Sequence, residues 1–226
     1  MNANRDWVDT IQLLISLIMR GALTGAVVYS VLRAHWAMVF TASMALIVSL
    51  LPMLIERSKL LYFPIEFELS LTGFVFAALI LGEGLEFYEK FWWWDLLLHS
   101  FSGLALGFVG FLIVYLISKE RGIQLTPIFV ALFSFSFSVA LATIWEIFEF
   151  TMDQTIGTSM QRSGIVDTMW DLIVGAGGAL ATATIGFFYV KGGDSLLFDR
   201  LLSKFIVENR KLFPNLYRNI LKIFLR

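Results

Sequence analysis

The chain has 226 residues, of which 58% are hydrophobic and only 15% charged, with a formal net charge of −1. That is too apolar for an ordinary soluble domain, and the near-neutral charge gives no footing for nucleic acid. Cysteine is absent, which excludes disulfides, thiolate metal sites and a cysteine nucleophile.

In chain order, the apolar residues fall into long runs of the length a helix needs to cross a bilayer. Spans are expected at about 8–31, 36–55, 65–82, 94–117, 125–150 and 168–190. The fold class is therefore all-α, a polytopic membrane helix bundle. The first run carries Arg20 inside it and lacks a small-residue cleavage site, so it reads as a retained helix rather than a signal peptide. The stretch 52–64 has a proline at each end and charges between, and is expected to be a loop. Pro127 suits the first turn of the fifth span. The tail, 193–226, mixes apolar and basic residues without a run long enough to span. It reads as one or two amphipathic helices broken near Pro214, lying either on the inner leaflet or against the bundle.

Thirteen of the 17 basic residues fall on the side of the N-terminus. By the positive-inside bias that side is cytoplasmic, with both termini inside. The run Trp92, Trp93, Trp94 then falls at the opposite interface, where such rings prefer to sit.

Two segments align as an internal repeat. Glu83-x-x-Glu86-Phe87 matches Glu146-x-x-Glu149-Phe150. Asp95-x3-His99-x3-Gly103-x3-Gly107 matches Asp167-x3-Asp171-x3-Gly175-x3-Ala179. Spans three and four, and five and six, would each form a hairpin with acids at its outer end, in a parallel repeat.

Helical spacing gathers these polar groups. Glu146, Glu149 and Asp153 fall within about 60° of arc at about 100° per residue. Asp95 and His99 are one turn apart, as are Asp167 and Asp171, and glycines continue the same faces. A charged side chain in mid-bilayer costs about 2.5–3.5 kcal/mol or more, so the acids must hold protons, face water or surround a cation. Carboxylates with one imidazole match the ligand set of divalent metals. The expected metal group is Asp95, His99, Glu146, Glu149 and Asp171, with Glu146, Glu149, Asp171 and Asp167 as catalytic candidates. Arg20, Arg162 and Glu86 are candidates for holding an anionic substrate.

Plainer roles stand beside these. Asp167 could simply cap the last span. Glu83, Glu86 and Glu89 could be a solvated loop end, Asp153 could sit in water, and His35 reads as interfacial. Arg20 could pair with a carboxylate, and Arg162 could be an ordinary loop residue.

The set "EFYEKFWWWDLLLH", "WEIFEF" and "GIVDTMWDLIVGAGGA" resembles the YjdF-like family of bacterial inner-membrane proteins over about residues 80–180. A weaker resemblance is to VanZ-like membrane proteins, associated with glycopeptide resistance. The resemblance implies a polytopic inner-membrane protein with Asp or Asn at the second polar position, which Asp171 fits. It implies no reaction. The chain has no nucleotide loop, no Gly-x-Ser-x-Gly and no His-Glu-x-x-His. The leading expectation is a metal-dependent hydrolase or transferase acting on a lipid or lipid-linked substrate at the outer leaflet. The alternatives are a cation or proton-coupled transporter and a non-enzymatic membrane partner.

Overall fold

The computed structural model describes residues 7–161, 164–193 and 195–224. Among them there are helices and no strands. Six helices are long and apolar enough to cross a membrane. They are α1 (Trp7–Leu32), α2 (Trp36–Arg57), α3 (Ile65–Phe76) with a π-helical continuation (Ala77–Gly84), α5 (Trp94–Glu120), α6 (Pro127–Ile156) and α7 (Ile165–Val190). Between them lies one turn, α4 (Phe87–Lys90), and the tail forms α8 (Leu196–Glu208) and α9 (Pro214–Phe224). Large apolar side chains stay exposed along these helices, for example Leu14, Leu17 and Ile18 on α1 and Ile144 and Ile147 on α6. Such continuous apolar surface suits a hydrocarbon surround rather than water.

The chain divides into two compact units, Met1–Trp94 and Asp95–Arg226. In the first, Leu23, Ala42, Val75 and Leu79 form a buried cluster where α1, α2 and the third helix meet. Two boundaries differ from the sequence expectation. Helix α2 runs through Pro52 to Arg57, so the connection begins only at Ser58. Pro52 is buried within the helix, where packing offsets the hydrogen bond a proline removes. The third span does not end near residue 82 as a regular helix. It loosens into π-helical turns, closed by Leu85 N donating to Ile80 O at 2.9 Å. Gly82 allows this segment to lie against the Tyr88 ring, which a β-carbon there would overlap.

The second unit is built on α5, α6 and α7. Helices α5 and α7 run parallel with their small residues in register. A β-carbon on Gly103 would overlap the Gly175 carbonyl oxygen, and one on Gly178 would overlap the Ser100 carbonyl oxygen. Helix α6 is antiparallel to α5 and tied to the same glycines. Ser138 Oγ donates to Gly103 O at 2.9 Å, and Ser134 Oγ to Gly107 O at 2.6 Å. Thr182 Oγ1 donates to Leu104 O at 3.0 Å. Glycine brings the backbones close, and the exposed carbonyls then accept hydroxyls from the neighbouring helix.

The tail belongs to this unit. Phe198, Leu202, Phe205 and Ile206 of α8 are buried. Phe198 meets Phe108 and Phe111 at ring-centroid distances of 4.8 Å each. Of the two expected placements, α8 takes the packed one. Helix α8 ends at Glu208, and Pro214 begins α9 after the turn between them. The Glu120 carboxylate, at the end of α5, accepts from the backbone N–H of Asn215 (3.0 Å) and Leu216 (3.1 Å), capping α9 from outside.

Candidate functional site

Asp95 and His99 lie in the first two turns of α5, Glu146 and Glu149 in the last turns of α6, and Asp167 and Asp171 in the first two turns of α7. Because α5 and α7 are parallel and α6 antiparallel, these turns meet at one end of the three-helix core. The imidazole of His99 is the centre. Its Nε2 is 3.5 Å from Asp95 Oδ1 and 3.8 Å from Asp171 Oδ2. Its Nδ1 is 3.8 Å from Glu146 Oε1. Carboxylates from three helices thus surround one ring.

One donor atom each from Asp95, His99 and Asp171 lie within 4.8 Å of one another, a grouping that could hold a metal ion. Glu146 sits on the opposite edge of the ring, where a carboxylate fixes the orientation of a ligating histidine. Asp171 and Glu146 are buried, and Glu146 Oε2 has no hydrogen-bond partner. A buried carboxylate oxygen left bare is unfavourable unless a donor or cation meets it.

The other expected residues take distinct places. Glu149, also buried, accepts from Trp145 Nε1 on its own helix at 2.9 Å. It lies beside the Asp95/His99/Asp171 group rather than within it. Asp167 does not cap α7: the cap position is Gly164, whose φ of 68° and ψ of −137° suit glycine. Asp167 sits in the first turn, where the helix dipole favours an acid.

Asp153 does not stand loose in water. Its carboxylate accepts from Thr158 Oγ1 (2.6 Å), Met160 N (2.8 Å) and Gln161 N (2.9 Å), folding the α6–α7 connection back onto its own helix. Gln161 Nε2 then donates to Thr168 Oγ1 at 2.7 Å, and Thr168 interacts with Glu146.

The three anion-holding candidates differ. Arg20 is committed within the first unit. Its Nη2 donates to Glu68 Oε1 at 2.6 Å and Ser49 O at 2.7 Å, which meets the carboxylate-pairing role instead of a free grip on substrate. Glu68 is in the first turn of α3. Glu86 is exposed, has a left-handed backbone (φ 60°) and pairs with Lys90 at 3.3 Å, so it is a surface acid. Arg162 lies outside the described residues.

Sequence reading missed Glu68, Gln161, Thr168 and the two α6 serines. The Trp145–Glu149 bond was visible as an i, i+4 pair. Ser134 and Ser138 share that spacing on a polar face of an apolar helix, which was a usable signal. The partnership of Glu68 with Arg20 depends on helix packing and left none.

Comparison with known proteins agrees with this architecture. Residues 15–192 match the family described as "Predicted membrane protein (DUF2238)", and the chain belongs to it. An uncharacterized protein of Thermotoga maritima is 30% identical over 159 residues, covering 70% of this chain and 81% of that protein. No solved structure matches. The YjdF-like resemblance is compatible with this family, while the VanZ-like one gains no support.

Proposed function

We propose that this DUF2238 membrane protein binds a divalent cation through Asp95, His99 and Asp171, and uses it on a lipid or lipid-linked substrate. The observation that carries the reading is the convergence of those three donor atoms within 4.8 Å from two helices, with buried Glu146 across the ring. Three carboxylates around one imidazole repel one another inside a bilayer, and a cation relieves that repulsion. Bound there, a divalent ion supplies Lewis-acid polarisation of a phosphoryl or acyl oxygen and an activated water. Glu146 holds the His99 ring, and Glu149 is the acid placed to take a proton. The reaction class is hydrolysis or group transfer in the outer leaflet of a bacterial inner membrane.

A one-sided site fits catalysis better than passage. Below His99 the three helices close: Gly103 meets Gly175, and Phe108, Phe111, Leu112 and Leu116 are buried. A conduit needs polar groups through both halves.

The test is metal content by elemental mass spectrometry after purification without chelator. The expected result is one divalent ion per chain, lost in His99→Ala and Asp171→Asn and kept in Gly177→Ala, whose added β-carbon meets nothing. Metal-free wild-type protein that binds no added Mg, Mn, Fe or Zn ion overturns the proposal.

A further inference from the structure

The first unit holds a second set of buried polar groups that the site above does not use. Gln12, Ser16 and Arg20 recur every four residues on α1, so they stack along one face. Each has a buried side-chain atom without a hydrogen-bond partner: Gln12 Oε1, Ser16 Oγ and Arg20 Nε. Ser16 is 0% exposed and Arg20 is 9% exposed.

Ser16 is the informative member. A hydroxyl in an apolar helix ordinarily bonds a carbonyl one turn back. Thr24 does so with Arg20 O at 2.8 Å, and Ser30 with Ala26 O at 2.7 Å. Ser16 has that option and does not take it. Its hydroxyl stays unpartnered between Gln12 and Arg20. An orphaned polar atom in a membrane interior costs free energy comparable to a lost hydrogen bond, and here there are three in a row.

The chemistry of the missing partner follows from charge. Arg20 is neutralised by Glu68, so an added anion or metal cation would be an uncompensated charge. The unmet groups are a donor, Arg20 Nε–H, an acceptor, Gln12 Oε1, and a hydroxyl that can be either. A small neutral molecule that both donates and accepts satisfies all three. We infer that this face of α1 holds a short chain of bound water, running from Gln12 to the Arg20–Glu68 pair. The face extends about 12 Å along the axis, at about 1.5 Å per residue. It starts about one and a half turns from exposed Trp7, so it is fed from the N-terminal end.

The chain contains no cysteine, so Ser16→Cys creates a single S–H oscillator with its own infrared band. Leu23→Cys, at a fully buried apolar position, is the dry reference. On transfer to D2O, the Ser16→Cys band is expected to convert at least about tenfold faster than the Leu23→Cys band. Equal, slow exchange at both positions overturns the inference. A stability measurement gives an independent sign. If the atoms are dry, Ser16→Ala removes an unmet polar group and raises the melting temperature. If water bridges them, Ser16→Ala strips a partner from that water and lowers it. A rise for Ser16→Ala therefore also overturns the inference, whatever the exchange rates show.

Discussion

Arg20 and Asp153 are each a single polar residue whose partners decide its meaning. The Arg20 guanidinium is buried against Glu68 and the Ser49 carbonyl. Removing one member of such a pair strands the other charge, at a cost of about 3–5 kcal/mol. Glu68→Gln is therefore expected to lower the melting temperature sharply in detergent. The double variant Arg20→Met with Glu68→Leu should recover most of the loss, because no charge remains buried. Asp153 accepts three hydrogen bonds, two from backbone N–H groups of the α6–α7 connection. Asp153→Ala leaves those donors searching for partners and should cost about 1–3 kcal/mol. Because Gln161 passes that order on to Thr168 beside Glu146, the same variant should also bind metal less tightly, measurable by titration with added ion. The sequence pointed to Arg20 as an anomaly in an apolar helix, but its partner, 48 residues away, becomes visible only once α1 and α3 pack.

At the scale of elements, the α5–α7 contact gives the sharpest test, since its glycines are unequal. A β-carbon on Gly103 overlaps the Gly175 carbonyl, whereas one on Gly175 meets only His99 O at an ordinary 3.6 Å. Gly103→Ala must push two backbones apart and should lose folded protein in size-exclusion chromatography. Gly175→Ala should keep it, although the two positions align in the repeat pattern. That pattern placed the acids and glycines of α5 and α7 on facing sides because a helix repeats about every 3.6 residues. It had less purchase on the other half of the repeat. Glu146 and Glu149 lie in a regular, buried helix, while Glu86 sits in a left-handed turn after the π-helical segment and is exposed. Identical Glu-x-x-Glu-Phe spacing therefore gives different environments, because the backbone beneath it differs. Pro52 taught the opposite lesson: proline marks a break only where no neighbouring helix holds the turn together.

For the whole molecule, six apolar runs were legible because length and hydropathy alone define a span. The tail was not, since an amphipathic helix can face lipid or protein with the same sequence. Its placement bears on orientation. Glu120 holds the start of α9 at the end of α5, and Tyr189 OH at the end of α7 donates to Asp199 of α8 at 2.6 Å. Both ties put the tail on the side where α5 and α7 end, beside Lys119, Arg121 and Lys191. The basic residues of α8 therefore join those of the 118–126 connection at one end of the second unit. On the positive-inside bias we propose that this end of the second unit faces the cytoplasm. A green fluorescent protein fused after Arg226 should fluoresce, and alkaline phosphatase fused there should be inactive. Fusions truncated after Phe91, between the third helix and α5, should give the reverse. The opposite pattern at both points would invert the topology, move the Asp95, His99 and Asp171 cluster to the cytoplasmic leaflet, and with it change the substrate pool the proposed site can reach.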